Sequence, residues 1–235
     1  MQRLLIILLL LIVTILGCAS ETVKIELKGP SGCKTFDISK EVESLRIGYS
    51  DFTDISGLDL LPQLKILDIG FMDEFSDFSF LADASNLETL SFMYAKLENF
   101  NFLLLLPELE LLFIDDCEIK DSHKIDLNNN RKIEYIRIHS SGLKYLPEIR
   151  SVPESLKYLF LERNEIEKLT KNFILQTQSI PYISLNNNPL EEYLIAQGLS
   201  RDYILSESHA NILRPEIYEF YSYTDYDAVI SVDAP

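Results

Sequence analysis

The sequence predicts an α/β repeat solenoid, with a parallel sheet of about seven short strands, irregular or short-helical segments behind it, and a cap at each end. Three observations predict this fold. An apolar pattern begins at residue 42 and recurs at steps of 22, 23, 22, 24, 23 and 24 residues. Each copy holds a short alternating strand with one apolar face. Such a strand cannot bury this face alone, whereas parallel copies side by side bury it continuously and pair each other's backbones.

The pattern is clearest at residues 156–166, LKYLFLERNEI, where apolar residues hold positions 1, 4, 6 and 11 and Asn holds position 9. Position 1 falls at Val42, Leu64, Leu87, Leu109, Ile133, Leu156 and Ile180. Position 4 falls at Leu45, Leu67, Leu90, Leu112, Ile136, Leu159 and Ile183. Position 6 falls at Ile47, Ile69, Phe92, Ile114, Ile138, Leu161 and Leu185. All 21 of these residues are apolar, which chance would give about once in ten million at this hydrophobic fraction.

This pattern resembles that of the leucine-rich repeat family, and the resemblance covers residues 42–193. It implies a horseshoe with the parallel sheet on its concave side. Position 11 is apolar in six repeats, but the second repeat has Glu74 there and Phe75 one place later, which indicates a one-residue insertion. In the family, an Asn or Cys at position 9 hydrogen-bonds the backbone of the turn after the strand. Here that position holds Ser50, Met72, Ala95, Cys117, Ser141, Asn164 and Asn188, so we expect the first repeats to be less regular.

The two ends of the repeat array are predicted to carry caps. Residues 23–27 and 34–38 alternate around a Gly-Pro-Ser-Gly turn, which predicts an N-terminal hairpin within a cap that spans residues 18–41. Residues 194–235 are predicted to form the C-terminal cap and a tail, with short helices near 190–199 and 209–221. Residues 191–235 hold nine acidic residues, two Arg and half of the Tyr. The last dozen residues have no predicted partner.

The first residues are predicted to be a leader. Residues 1–17 combine Arg3 with an apolar run that is too short to span a membrane, which is typical of a signal peptide. The stretch ILGC at 15–18 resembles a bacterial lipobox, and the resemblance implies a diacylglycerol on Cys18. Leu16 departs from the usual small residue, so ordinary cleavage near Ala19 is the alternative. The chain is therefore expected to be exported and anchored to the cell envelope, at the outer membrane or the cell surface.

Composition and motifs argue against several functions. A net charge of −16 argues against nucleic acid as a partner. We find no phosphate-binding glycine loop, no nucleophile signature near the histidines, and no indication of a cofactor. An acidic stretch at 114–124 gathers Asp115, Asp116, Glu118, Asp121 and His123, and we interpret it as a solvated turn rather than a metal site.

Cys33 and Cys117 are expected to stay unbridged, because at least three strand gaps, about 14 Å, separate them.

The predicted binding site lies on the sheet. In this fold, positions 3, 5 and 7 point away from the core and are expected to face solvent. In the later repeats these positions hold Phe113, Tyr135, Arg137, His139, Tyr158, Phe160, Glu162 and Tyr182. Interfaces favour Tyr, Phe and Arg, so this set is our candidate protein-binding face. The alternative is that aromatic residues are there because they pair well across strands.

The predicted function is therefore that of a non-enzymatic protein-binding module. We expect a monomeric, membrane-anchored leucine-rich repeat lipoprotein that recognises a host or envelope protein through its concave face. Two alternatives remain open at this point: a structural envelope protein without a specific ligand, and an inhibitor of an enzyme.

Overall fold

Short strands dominate the computed structural model, which describes residues 21–48, 52–71, 77–189 and 228–231. In chain order the strands are β1 Thr22–Gly29, β2 Gly32–Ser39, β3 Ser44–Gly48, β4 Asp54–Ser56, β5 Ile66–Gly70, β6 Thr89–Met93, β7 Lys96–Leu97, β8 Leu111–Asp115, β9 Glu118–Ile119, β10 Lys124–Asp126, β11 Tyr135–His139, β12 Glu148–Arg150, β13 Tyr158–Phe160, β14 Tyr182–Ser184 and β15 Ala228–Ser231. Seven of them, β3, β5, β6, β8, β11, β13 and β14, begin at position 3 of the seven repeats. The predicted strand positions are therefore confirmed.

These seven strands form a parallel sheet in the order of the chain. Equal repeat positions face each other across every pair: Leu45 lies opposite Leu67, and Leu67 lies opposite Leu90. The same register continues through Leu112, Ile136, Leu159 and Ile183. Because a shift by one residue would turn the apolar face outward, the apolar pattern itself fixes this register.

The core lies on one side of this sheet. The residues at position 4 are 0% exposed in six of the seven repeats, and Ile183 in the last repeat is half-buried. Phe92 at position 6 packs against Phe78 and Phe102, with ring centroids 5.2 and 5.3 Å apart. Removing a buried Leu or Ile side chain from such a core costs about 2–5 kcal/mol.

The segments behind the core are short. They comprise 3-10 helices at Leu58–Leu60, Ser79–Ala84 and Asn101–Leu105, one α-helix, α1, at Lys171–Thr177, and the two-stranded parallel pairs β7–β9 and β10–β12. Local polar side chains accept backbone N–H groups at the start of three of these helices. Asp77 Oδ1 accepts the N–H of Ser79 at 2.9 Å, Asn99 Oδ1 accepts that of Asn101 at 2.8 Å, and the Thr170 hydroxyl accepts that of Phe173 at 3.2 Å. The short-helical character predicted for this side is seen here.

The N-terminal hairpin pairs β1 with β2 antiparallel, from Thr22 opposite Ser39 to Gly29 opposite Gly32. β4 adds to β1 on the other side. Ile25 and Leu27 are fully buried in the core of the first repeats. Gly57 brings the chain against this hairpin with a φ of +96°, and a Cβ there would lie 2.4 Å from the carbonyl oxygen of Lys24. The close approach therefore requires glycine.

In six of the seven repeats the residue at position 8, in the turn after the strand, is left-handed. These residues have φ between +51° and +59°, and they are Phe71, Tyr94, Asp116, Ser140, Arg163 and Asn187. The N–H groups of the first five donate to the next repeat, as in Phe71 to Met93 O at 2.8 Å and Arg163 to Asn186 O at 3.0 Å. The strained backbone thus directs a donor at a carbonyl that would otherwise lack one.

Position 9 adds a second set of hydrogen bonds, which runs back to the preceding repeat. Asn188 Oδ1 accepts the N–H of Ile166 at 3.0 Å, and Asn164 Oδ1 accepts that of Ser141 at 2.9 Å. The Ser141 hydroxyl accepts the N–H of Cys117 at 3.2 Å, and Cys117 Sγ accepts that of Ala95 at 3.4 Å. The predicted role of position 9 is confirmed for these four residues.

The C-terminus departs from the prediction. Residues 228–231 form β15, which pairs parallel with β3 at the edge of the sheet opposite β14. These four residues therefore have a partner that the sequence did not predict, because β3 offers an open edge that a strand can join. The leader with Cys18, and the predicted helices near 190–199 and 209–221, lie outside the described residues.

Both cysteines in the described ranges are free, as predicted, with Cys33 exposed and Cys117 buried. Among the described helices, none is long and apolar enough to cross a membrane.

Candidate functional site

The sheet brings the eight predicted site residues onto one side of the molecule. We call this side the outer face and define it by positions 3, 5 and 7 of the seven repeats. Tyr135 lies opposite Leu111 on one neighbouring strand and Tyr158 on the other, and Tyr158 lies opposite Tyr182. Arg137 lies between Phe113 and Phe160, and His139 lies opposite Asp115. Glu162 lies two residues after the end of β13.

The five aromatic rings form one contiguous cluster. Phe113 and Tyr135 have ring centroids 5.1 Å apart, and Tyr135 and Phe160 are 5.3 Å apart. Tyr158 stacks on Tyr182 at 5.1 Å with an interplanar angle of 11°. These separations follow from the spacing of neighbouring strands, about 4.8 Å, and lie in the range where aromatic pairs attract.

The expectation that these rings face solvent is wrong. Phe113 is 0% exposed, Tyr135 3%, Phe160 6% and Tyr158 9%, while Tyr182 is half-buried. Part of the reason is lateral packing, because rings on adjacent strands cover each other's sides. The burial extends beyond the rings, however. Of the 21 residues of the outer face, 11 are buried, 10 are half-buried and none is exposed.

A row of charged groups runs beside the cluster. Asp115, 4% exposed, lies 3.1 Å from Arg137 Nε and 3.9 Å from His139 Nδ1 through the same carboxylate oxygen. Burial lowers the pKa of His139, and the charge of Arg137 lowers it further, while Asp115 opposes them. At neutral pH His139 is therefore uncharged, and Arg137 is the cation of this row. The Ser184 hydroxyl donates to Glu162.

The other half of the outer face has a different character. It carries mostly small and polar residues, with Ile66 and Met93 among them; the small and polar ones are Ser44, Gly48, Gly70, Thr89 and Ser91. One ion pair lies there, between Arg46 Nε and Asp68 Oδ2 at 3.4 Å. The face is thus divided into an aromatic half over β8 to β14 and a small, polar half over β3 to β6.

The acidic stretch at 114–124 is not gathered into one site. Asp115 lies on the outer face, whereas Asp116, Glu118, Asp121 and His123 are exposed in the segment that follows, Glu118 within β9. Among the described residues, no group of three or more His, Cys, Asp or Glu side chains is placed to hold a metal ion.

Two features were missed by the sequence analysis. Phe71 and Tyr94, both at position 8, stack with ring centroids 4.9 Å apart and are each 48% exposed. Their spacing of one repeat could have indicated the contact. Asn130 is fully buried, and its amide donates to Leu103 O at 2.9 Å and Leu106 O at 2.7 Å. Nothing in the Asn-rich stretch 128–130 distinguishes it from its exposed neighbours.

Compared with known protein families and with curated proteins, the chain matches none.

Proposed function

We propose that this chain is an exported, lipid-anchored leucine-rich repeat protein of a bacterial envelope that recognises a protein partner and catalyses no reaction. In this proposal the repeats curve into a horseshoe, and the outer face is its concave side. The single observation that carries the proposal is the contiguous aromatic cluster on four adjacent strands, bordered by Arg137, His139 and Glu162. Aromatic anchors beside an arginine are typical of the centre of a protein interface.

The repeat spacing supports the horseshoe. Parallel strands that recur every 22 to 24 residues in equal register leave successive repeats related by one small rotation. Broad curved surfaces of this kind suit the recognition of another folded protein.

The binding test uses variants at the rim of the cluster. Phe113, Tyr135, Tyr158 and Phe160 are buried, so alanine there would lower stability as well as binding. Tyr182 and Arg137 are half-buried and are better probes. Arg137→Gln also removes the ion pair of Arg137 with the buried Asp115, so the melting temperature of each variant is measured beside its affinity. Partners captured from envelope or host-cell extracts by the full chain would be identified by mass spectrometry, and their affinity measured for Tyr182→Ala and Arg137→Gln. We expect at least tenfold weaker binding for both, because interface aromatic and Arg residues contribute about 2 kcal/mol or more.

The matched control is Tyr145→Ala, which removes a tyrosine that is 64% exposed and lies outside the outer face. A partner that binds both rim variants as tightly as it binds the control contradicts recognition through this face. Capture of no partner would favour a structural envelope protein. Capture of an enzyme whose activity falls on binding would favour an inhibitor.

The lipid anchor is tested separately. It is supported by the ILGC stretch at 15–18. The wild-type protein should incorporate a palmitate analogue and partition into detergent, and Cys18→Ser should abolish both. Equal labelling of the variant would show that Cys18 carries no lipid.

A further inference from the structure

We propose that Phe71, Tyr94 and Asp116, which we call the turn site, bind an arginine side chain of a basic protein segment. The turn site lies beside the outer face and does not use it. The inference therefore goes beyond the proposed function and does not depend on it. Four observations lead to it.

The first observation is the direction of the three side chains. Each holds position 8 of its repeat, in consecutive repeats, and their φ angles are +59°, +53° and +52°. The residues before them are paired in register, with Gly70 opposite Met93 and Met93 opposite Asp115. Equal backbone conformations at equal positions direct the three side chains the same way out of the fold, one strand spacing, about 4.8 Å, apart.

The second observation is the stack that this spacing produces. The rings of Phe71 and Tyr94 have centroids 4.9 Å apart and an interplanar angle of 25°, so they stack along the row of turns. Phe71 thus covers one face of Tyr94, and the other face is turned towards the repeat of Asp116. The side chain of Asp116 is too short to fill the place that a third ring would take there. A planar group fits into this place, with the Asp116 carboxylate at its edge.

The third observation is exposure. Phe71 and Tyr94 are each 48% exposed, and Asp116 is exposed as well. Among the described residues, neither the Asp116 carboxylate nor the Tyr94 hydroxyl has an ion-pair or hydrogen-bond partner. Large rings are uncommon in the left-handed region, which Asn adopts at lower cost, as Asn187 does in the last repeat. The turn itself therefore requires no ring, and a ligand explains two exposed ones better.

The fourth observation is charge. The whole chain carries −16. The segments that begin at Tyr94 and Asp116, residues 94–98 and 116–121, hold four carboxylates and two ammonium groups, namely Glu98, Asp116, Glu118, Asp121, Lys96 and Lys120. Lys120 pairs with Glu98 at 3.0 Å, and Lys96 lies opposite Glu118. Arg163, in the same row of turns, lies two repeats beyond Asp116, about 10 Å away. The site is therefore anionic, and a cationic ligand complements it.

These properties together select arginine. The guanidinium group is planar, stacks on aromatic faces, and presents parallel N–H donors that match the two oxygens of a carboxylate. In the turn site it lies against the open face of Tyr94 and donates from its edge to Asp116. The ammonium group of lysine is a compact, strongly hydrated charge and cannot make the flat contact. A neutral sugar would use the rings but gains nothing from the negative charge.

The experiment compares two peptides of equal charge. One is a fluorescein-labelled dodecapeptide of Gly and Ser with three arginines, and the other has lysine at the same three places. Their binding to the full chain in detergent is followed by fluorescence anisotropy at physiological ionic strength. We expect the arginine peptide to bind at least threefold more tightly. Equal affinities would overturn the proposal, because they would show attraction to the net charge of the chain alone.

Variants locate the binding. Tyr94→Asn and Asp116→Asn introduce a residue that adopts the left-handed conformation, so the turns are preserved. Each should weaken binding of the arginine peptide at least threefold. The matched controls are Tyr145→Asn, at a tyrosine that is 64% exposed, and Asp83→Asn, at an exposed carboxylate of the 3-10 helix Ser79–Ala84; neither should change it. Melting temperatures verify folding, and the nearly isosteric Asp116→Asn tests the site even if Tyr94→Asn lowers stability.

The remaining outcomes contradict the proposal. If both site variants bind the arginine peptide as the controls do, the peptide lies elsewhere. If Tyr182→Ala weakens binding and the site variants do not, the arginine binds the outer face. If the neutral disaccharide chitobiose binds, Tyr94→Asn abolishes this binding, and the two peptides bind equally, the rings form a sugar platform. Because the peptides are assayed apart from any partner of the outer face, failure of either proposal leaves the other standing.

Discussion

The side-chain oxygen of Asn164 accepts the backbone N–H of Ser141, 2.9 Å away and one repeat earlier in the chain. The same oxygen accepts the N–H of Leu143 at 3.2 Å, and the amide nitrogen donates to Ile138 O at 2.8 Å. One side chain that is 5% exposed thus pairs three buried backbone groups of the preceding repeat. Two repeats are joined through this single residue.

Replacing Asn164 with Ala should therefore destabilise the fold severely. The change leaves these buried groups without partners, and each such group costs about 1–3 kcal/mol. We expect the free energy of unfolding to fall by about 3 kcal/mol in urea denaturation. Asn128→Ala, at an exposed side chain, serves as the control and should change it by less than about 0.5 kcal/mol. Equal stabilities of the two variants would mean that water pairs these backbone groups once the Asn164 amide is removed.

The two free thiols should differ in reactivity. Burial raises the pKa of Cys117 to about 12, and the carboxylates of Asp115 and Asp116 also raise it, while the N–H of Ala95 lowers it. The thiolate is the reactive form, so Cys117 should be inert in the folded protein, whereas the exposed Cys33 should alkylate readily. In the Cys18→Ser chain, mass spectrometry should detect one alkylation under native conditions and two in denaturant. Rapid double labelling of the folded chain would contradict the burial of Cys117.

Stability should depend on pH through His139. Burial and the neighbouring Arg137 lower the pKa of this residue in the folded state. The unfolded chain therefore binds a proton more readily, and the contribution of His139 to stability is present above the ordinary pKa of 6.5 and is lost as the pH falls below it. His139→Gln should flatten the fall in melting temperature between pH 7 and pH 5. The exposed His123→Gln is the control and should keep the wild-type slope.

The left-handed turn residues store strain that glycine would relieve. Arg163 is exposed and has a φ of +52°, a conformation that costs non-glycine residues about 1–2 kcal/mol. Arg163→Gly should raise the free energy of unfolding by up to about 1 kcal/mol, since the entropy of glycine in the unfolded chain offsets part of the gain. Lys168→Gly, at an exposed residue without a positive φ, should lower it. A loss of stability in both variants would show that the Arg163 side chain stabilises the turn.

The sequence predicts those parts of the fold that depend on a repeated apolar contact. Leu45, Leu67 and Leu90 predict their strands because each must be buried against the next, so the register follows from the pattern. The burial of Phe113 and Tyr135 could not be predicted this way. Alternation shows that a residue lies on the outer face, but says nothing about how much of that residue is exposed. Asn130 and β15 were missed for a related reason, since each makes its contacts at a single place in the fold and recurs in no other repeat.

The pairing of β15 with β3 also determines when the sheet can be completed. Every other neighbouring pair of the large sheet joins residues 22 to 24 positions apart, whereas Ala228 and Leu45 are about 180 apart. Local contacts form quickly, but this one must close a very long loop, which places it late in folding. Until then the β3 edge is open to strands from other nascent chains. The first repeat therefore reaches its final structure only after residues 228–231 have been synthesised.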